Sequence, residues 1–213
     1  MIDFDFKFCY LHSFMPENPS IRESRLFRNN NDGSFTDVTD ESGFINPFLQ
    51  DEGFESFVGL DGHKFGASWG DFNNDGYADL FLTFLGKVQL WKNRTNGQFV
   101  NISSTAGFEF FDGCANTTAT WFDYDNDGFL DLYIADWNHC ASNSLYKNNG
   151  DESFRNVTLE TQIYSDQDYA SYLPFPYDFD GDGFMDIYVT NDLSKPNNLY
   201  INDENNFFSD QAV

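Results

Sequence analysis

Three short acidic segments recur along the chain, and they restrict its possible folds more than any other feature of the sequence. They occupy residues 71–79, 123–131 and 178–186, and each follows the pattern D-x-[DN]-x-D-G-x-x-D. The period is about fifty residues, which is typical of proteins built from repeated structural units. We therefore expect a repeat array rather than one irregular domain.

The residue types in each segment are those of a calcium-binding loop. Oxygens from positions 1, 3, 5 and 9, with the backbone carbonyl of position 7, can surround a hard cation that takes roughly six to eight ligands, and glycine at position 6 permits a sharp turn. We therefore predict three Ca²⁺ sites, the first of them weakened by a neutral amide at position 3. The predicted ligands are Asp71, Asn73, Asp75, Tyr77 and Asp79 in loop 1, Asp123, Asp125, Asp127, Phe129 and Asp131 in loop 2, and Asp178, Asp180, Asp182, Phe184 and Asp186 in loop 3.

A second phrase alternates with the loops and predicts a hairpin each time. It consists of a short apolar strand, an Asn/Asp/Gly turn and another short strand, and its leading leucines are Leu26, Leu90, Leu145 and Leu199. Each acidic loop also has a strand on either side, so one repeat holds four antiparallel strands, the content of a propeller blade. No segment has the 3.6-residue period of a helix.

The fold predicted from this order is an all-β, propeller-like array of four-stranded antiparallel blades, with three full repeats and a half repeat. Residues 1–20 would form an N-terminal strand or arm, and residues 21–64 the half repeat and a connector. The full repeats would cover residues 65–108, 109–163 and 164–213.

The number of repeats leaves closure of the array open. A closed propeller needs roughly four to eight blades, whereas the half repeat, residues 25–44, has no acidic loop of its own. Three arrangements fit: the alternating residues 4–14 complete the half blade and the array stays open, another chain supplies the missing strands, or the sequence is a fragment of a longer protein. An open array has unpaired edges, and head-to-tail contacts that do not close propagate into a filament.

Specific motifs connect the chain to a known family. Phe65-Gly66 lies six residues before Asp71, each acidic loop is followed by Leu or Ile, and the phrases LFRNNNDGSFTDVT and LYKNNGDESFRNV recur between them. In these features the chain resembles the FG-GAP and VCBS repeat proteins, including the integrin-type propellers and the ASPIC/UnbV and cartilage acidic protein relatives. The resemblance covers residues 25–208 and implies a calcium-bearing propeller, or part of one, with ions in hairpin loops rather than at a catalytic centre. Thr117-Thr118 and Tyr172-Leu173 depart from the family's Phe-Gly pair.

Other metal-binding and catalytic classes do not fit the sequence. An EF-hand would need a bidentate Glu at position 12, which is Leu82, Ile134 or Val189 here. The sequence has no nucleophile, P-loop or dinucleotide motif, so we expect a protein that is not an enzyme.

Charge excludes two classes of partner. The chain has 35 Asp and Glu against 11 Lys and Arg, a net charge of −24, which three bound divalent ions would reduce to about −18. The remaining charge repels nucleic acid and anionic membranes, whose phosphates are bound by Lys and Arg. There is also no run of about eighteen apolar residues that could span a membrane.

Three features favour an extracellular or cell-surface location. Cys114 and Cys140 are placed symmetrically about Asp127, so a regular hairpin would bring them together as a disulfide, while Cys9 is left over. Millimolar calcium outside cells also suits such loops. Four N-glycosylation sequons occur, at Asn93, Asn101, Asn116 and Asn156.

The function expected from these observations is a non-enzymatic, extracellular, calcium-binding repeat protein with a structural or adhesive role, assembling head to tail with itself. The alternative is a glycan- or protein-binding ectodomain module of a larger secreted protein. In either case the expected partners are calcium and either further copies of the chain or another extracellular protein or glycan.

Overall fold

The structure is a computed structural model that describes residues 25–44, 64–84, 86–109, 115–137, 143–164, 170–192 and 195–211. The described residues form β-strands and turns without a helix, and so contain no helix of membrane-spanning length. The predicted strand over residues 4–14 and the predicted Cys114–Cys140 disulfide lie outside the described residues. The strands are β1 (Phe27–Asn29), β2 (Phe35–Asp37), β3 (Lys64–Gly70), β4 (Asp79–Phe84), β5 (Val88–Asn93), β6 (Phe99–Asn101), β7 (Asn116–Phe122), β8 (Asp131–Asp136), β9 (Ser144–Asn148), β10 (Phe154–Asn156), β11 (Ser171–Tyr177), β12 (Asp186–Asn191), β13 (Asn198–Asn202) and β14 (Phe208–Asp210).

The strands form three four-stranded antiparallel sheets and one two-stranded sheet. Blade 1 is β3-β4-β5-β6, blade 2 is β7-β8-β9-β10 and blade 3 is β11-β12-β13-β14, each in chain order, while β1 and β2 form the half repeat. This confirms the all-β, blade-like prediction of three full repeats and a half repeat. Each acidic loop connects the first two strands of its blade, as the sequence order predicted.

The first strands of successive blades lie against one another, β3 beside β7 and β7 beside β11. We call the side of a blade that faces the following repeat its back face, and the opposite side its front face. Gly66 in β3 shows how close this approach is, because a Cβ atom there would lie 2.9 Å from the Thr117 carbonyl oxygen of β7. The glycine of the Phe-Gly pair therefore permits the close packing of blade 1 on blade 2.

Apolar side chains fill each junction between neighbouring repeats. Phe81 and Leu90 on the back of blade 1 pack with Leu132 and Ile134 on the front of blade 2. An equivalent cluster joins blades 2 and 3, and a third joins the half repeat to blade 1. The described core is thus a series of interfaces between repeats, as expected when one repeat cannot bury its apolar faces alone.

Candidate metal centres in the blade hairpins

Position 1 of each loop fixes the turn. In loop 2, Oδ1 of Asp123 accepts a hydrogen bond from the backbone N–H of Asp127 (3.1 Å), and Oδ2 accepts one from Gly128 (2.9 Å). Gly128 has a φ of 88°, in the left-handed region where a side chain would be strained. Asp71 and Asp178 make the same pair of bonds in loops 1 and 3. The first carboxylate therefore organises each loop locally.

Position 9 anchors the loop to the sheet. Asp79, Asp131 and Asp186 are fully buried. Asp131 accepts hydrogen bonds from the backbone N–H of Asn148 in β9 (2.8 Å) and of Tyr124 at the start of the loop (3.1 Å). Burial raises the pKa of Asp79 and of Asp131 to about 7 and also raises that of Asp186, although backbone hydrogen bonds oppose the shift. A nearby cation would favour the charged form of these buried carboxyl groups.

Positions 1, 3 and 9 converge in loops 2 and 3. In each loop, one carboxylate oxygen from each of these positions lies within 4.8 Å of the other two. Within the described residues, position 5 lies outside both groups, and its carboxylate accepts the backbone N–H of position 7 at 2.9 Å in loop 2 and 2.8 Å in loop 3. The converging residues are Asp123, Asp125 and Asp131 in loop 2 and Asp178, Asp180 and Asp186 in loop 3, and the residues at position 5 are Asp127 and Asp182.

One oxygen in loop 2 is buried without a hydrogen bond to any described residue. It is Oδ1 of Asp125, and leaving such an acceptor unsatisfied costs about 1–3 kcal/mol. A bound cation would satisfy it. The donor sets of loops 2 and 3 consist of carboxylate oxygens, which Ca²⁺ and Mg²⁺ prefer as ligands, so the residues present could hold such an ion. When bound, the ion would neutralise charges that otherwise repel one another.

Loop 1 differs at position 3. The side-chain nitrogen of Asn73 donates to Oδ2 of Asp75 (3.1 Å), and its Oδ1 accepts the backbone N–H of the same residue (3.2 Å). Loop 1 therefore has one carboxylate fewer than the other two loops. The carbonyl groups at position 7, from Tyr77, Phe129 and Phe184, were also predicted as ligands, and that role stays a prediction.

A lysine that the sequence analysis did not identify lies on loop 2. Nζ of Lys147, in β9, donates hydrogen bonds to Oδ2 of Asp125 and to Oδ2 of Asp127, the second at 2.7 Å. Burial opposes the charge of the ammonium group, but the two carboxylates outweigh this effect and raise the pKa of Lys147. Loop 2 therefore contains an internal cation beside its predicted metal ligands.

The other two blades have a different arrangement at the position of Lys147. The equivalent Lys92 of blade 1 pairs with Glu152 of blade 2 instead of with loop 1. Blade 3 has Ile201 there, which carries no charge. The repeated phrase around Lys147 gives its strand position, but the pairing depends on blade geometry that the phrase does not encode.

Adjacent loops are joined by asparagine side chains. Asn74, at position 4 of loop 1, donates to the carbonyl oxygen of Gly128 in loop 2 (2.9 Å). Asn126, at position 4 of loop 2, donates to the carbonyl oxygen of Gly183 in loop 3 (3.1 Å). Both asparagines have left-handed backbone conformations, which Asn tolerates better than most residues. Loop 3 has Gly181 at this position and so has no equivalent amide.

A second set of asparagines joins loops 1 and 2 to the blades that follow them. The side-chain nitrogen of Asn148 in blade 2 donates to the carbonyl oxygen of Phe72 in loop 1 (2.8 Å), and that of Asn202 in blade 3 donates to Tyr124 in loop 2 (2.7 Å). Each amide also donates to the carbonyl at position 8 of its own blade's loop. Loops 1 and 2 are therefore each held by two successive blades.

The four sequon asparagines differ in accessibility. Asn93 is buried, and its amide nitrogen donates to the Ala78 carbonyl oxygen (3.2 Å). Asn116 and Asn156 are partly buried, and Asn101 is exposed. In the folded chain Asn101 therefore presents the most accessible of these amides.

Comparison with known proteins agrees with the repeat geometry. The FG-GAP-like repeat family matches the chain over residues 71–134 and 123–189, each match beginning at position 1 of a loop. No curated protein sequence matches the chain. Among solved structures, an Agrocybe aegerita lectin, studied for its specific recognition of non-reducing terminal N-acetylglucosamine, is similar with a TM-score of 0.48 and 19% identity. The match covers 90% of this chain and 46% of the lectin chain, so this chain spans about half the lectin's length. Since the two family matches together span more than half of its residues, the chain belongs to the FG-GAP-like repeat family.

Proposed function

We propose that this chain is a non-enzymatic, extracellular, calcium-binding repeat module with a structural or adhesive role. Calcium ions in the hairpin loops would stabilise the packing of one blade on the next. The proposal assigns the acidic loops to stability and does not assign them to catalysis.

The observation that carries the proposal is the position of the acids at junctions between structural elements. Asp131 holds the start of loop 2 and the end of β9 through backbone hydrogen bonds. Asn148, whose backbone N–H binds Asp131, also extends its side chain to loop 1 in the preceding blade. An ion held by Asp123, Asp125 and Asp131 would therefore stabilise two blades, and its binding free energy would add to the free energy of unfolding.

Thermal unfolding tests the role of calcium. We expect the melting temperature to be markedly higher in excess Ca²⁺ than in EGTA, and Asp178→Asn to reduce this difference. Glu204→Gln is the matched control, because Glu204 is an exposed acid outside the three loops. A melting temperature that is the same in EGTA and in Ca²⁺ would overturn the proposal.

The extracellular location is supported by the sequons and by the calcium concentrations that such loops suit. If the native protein carries an N-linked glycan, we expect it at Asn101 and not at Asn93, because Asn93 is buried in the folded chain. Peptide mapping of native material before and after enzymatic removal of N-glycans measures this directly. Recovery of the native protein from the cytosol would contradict the location.

A second candidate function is glycan recognition, which one specific pair of residues favours. Trp137 and Tyr172 are exposed, and their ring centroids lie 6.4 Å apart. Exposed aromatic rings can supply the apolar contacts of a ligand site. Binding of the chain to a glycan array, and its loss in Trp137→Ala, would support this function; an array with no bound glycan would contradict it.

A further inference from the structure

An aromatic pair recurs at the junctions between blades. Phe72, the second residue of loop 1, packs against Phe154 at the start of β10, with ring centroids 5.7 Å apart. Tyr124, the second residue of loop 2, packs against Phe208 at the start of β14, at 6.2 Å. All four side chains are buried. Position 2 of a loop therefore packs on the outermost strand of the following repeat.

The equivalent residue on the back of blade 3 is exposed. Phe179 is the second residue of loop 3, and 44% of its surface is accessible. Leu173, Phe175 and Tyr177 alternate along β11 and are 55–56% exposed. Their counterparts in β3, beginning with Gly66, face blade 2. Exposed apolar surface of this extent is typical of an interaction site.

The front of the half repeat exposes the other member of the pair. Phe35 begins β2 and is opposite Asn29 in β1, as Phe154 is opposite Asn148 and Phe208 is opposite Asn202. Phe35 is 49% exposed, although the residues at its position in blades 2 and 3 are buried. Each end of the described array thus carries one half of an aromatic pair that is complete at the two junctions between full blades.

Asn29 makes one of the two kinds of hydrogen bond that its counterpart Asn148 makes. Its Oδ1 accepts the N–H of Asn31 (2.9 Å), as Oδ1 of Asn148 accepts that of Gly150 (3.0 Å). The side-chain nitrogen of Asn148 also binds the Phe72 carbonyl of the preceding loop. Within the described residues, the side-chain nitrogen of Asn29 makes no hydrogen bond. The register places it to donate to a loop in a repeat ahead of the half repeat.

We propose that the back of blade 3 binds the half repeat of a second copy of this chain, with Phe179 of one copy packed against Phe35 of the other and Asn29 donating to the Phe179 carbonyl. A second copy is the occupant because this chain carries both missing halves of a junction that it already forms twice. The contact is head to tail, so it either closes into a ring or propagates. It lacks one feature of the internal junctions, because Gly181 in loop 3 has no amide to donate to a neighbouring loop.

Sedimentation velocity of the whole chain in excess Ca²⁺ tests this interface. We expect the wild-type chain to form concentration-dependent dimers or larger assemblies. Phe35→Gln and Phe179→Gln should each remain monomeric. Their equimolar mixture should recover a dimer and nothing larger, because the Phe179 of one variant meets the Phe35 of the other at a single intact interface. Tyr164→Gln, which changes an exposed aromatic residue outside the interface, should assemble like the wild type.

Three results would overturn the proposal. The wild-type chain could stay monomeric at every concentration, Phe35→Gln and Phe179→Gln could each assemble like the wild type, or the equimolar mixture of the two variants could stay monomeric. Circular dichroism and the calcium-dependent melt of each variant show whether it is folded. Since the melt reports the proposed calcium role and sedimentation reports the interface, failure of one is distinguishable from failure of the other.

Discussion

The side-chain amide of Asn126 in loop 2 donates to the carbonyl oxygen of Gly183 in loop 3, so two predicted metal sites from successive blades are in direct contact. The donor is at position 4 and the acceptor at position 6, and Asn74 and Gly128 repeat the relationship between loops 1 and 2. Gly183 belongs to the turn that Asp178 organises. A change in the position of Asn126 in loop 2 would therefore alter the backbone geometry of loop 3.

We expect Asn126→Gly to weaken this contact while preserving the left-handed backbone, as Gly181 does in loop 3. The free energy of unfolding should fall by about 0.5–1.5 kcal/mol, the net value of one hydrogen bond, and loop 3 should bind Ca²⁺ more weakly. Asn31→Gly is the matched control, because Asn31 also has a positive φ and is exposed. Chemical denaturation and calorimetric titration measure both effects, and equal losses in the two variants would contradict the coupling.

Removing the ammonium group of Lys147 should destabilise the fold when metal is absent and strengthen calcium binding at loop 2 when metal is present. In EGTA, Lys147→Gln should lower the free energy of unfolding, because Asp125 and Asp127 lose their counter-ion. In calcium, the same variant should bind the ion more tightly at loop 2, because the ammonium group no longer competes for the carboxylates. Lys92→Gln is the control, since Lys92 has the same strand position but pairs with Glu152. Unchanged calcium affinity in Lys147→Gln would contradict the competition.

Truncating an asparagine that bonds to two blades should lower the free energy of unfolding more than truncating its counterpart in the half repeat. Asn148→Ala leaves the carbonyl groups of Phe72 and Leu130 without this donor, and we expect a loss of about 1–3 kcal/mol in the free energy of unfolding. Asn29→Ala loses the equivalent turn bond but no bond of the side-chain nitrogen to a described residue. Denaturation at a protein concentration low enough to prevent assembly compares the two. Equal losses would mean that the contact between blades contributes nothing measurable.

Restoring the carboxylate at position 3 of loop 1 should strengthen that site. We expect Asn73→Asp to bind Ca²⁺ on the order of tenfold more tightly, because ligand charge tunes the affinity of such loops. In EGTA the same variant should be less stable, because the new carboxylate lies near Asp75. Asp180→Asn in loop 3 is the reciprocal change and should weaken its site. Calorimetry on both variants measures the affinities, and a change of the same sign in both would rule out this explanation.

The fold could be predicted because its signals are local. Turn residues and alternating apolar residues define the strands and hairpins, and glycine at position 6 of each loop, such as Gly128, marks the turn. The number of strands per repeat and their order follow from these signals alone. The structure confirms both within the residues that it describes.

Much of the site could not be predicted because it depends on contacts between repeats. Asn148 reaches a carbonyl group 76 residues away, and nothing near it in the sequence indicates that partner. Lys147 looks like an ordinary surface lysine in a strand, yet blade geometry places it on two acids of loop 2. The spacing of acids predicted the side chains at positions 1, 3, 5 and 9 as metal ligands. Among the described residues of loops 2 and 3, only the carboxylates at positions 1, 3 and 9 converge.

Because Asn148 and Asn202 extend backwards from blades 2 and 3, the structural unit does not coincide with the sequence repeat. Loop 1 is complete only when Asn148 of blade 2 is in place, and loop 2 only when Asn202 of blade 3 is in place. Blades 1, 2 and 3 therefore overlap, and a cut between blades 1 and 2 or between blades 2 and 3 would remove an asparagine that completes the preceding loop. Unfolding from the C-terminal end would loosen the loops in reverse chain order, because each lost blade takes with it the asparagine that binds a carbonyl group of the loop before it.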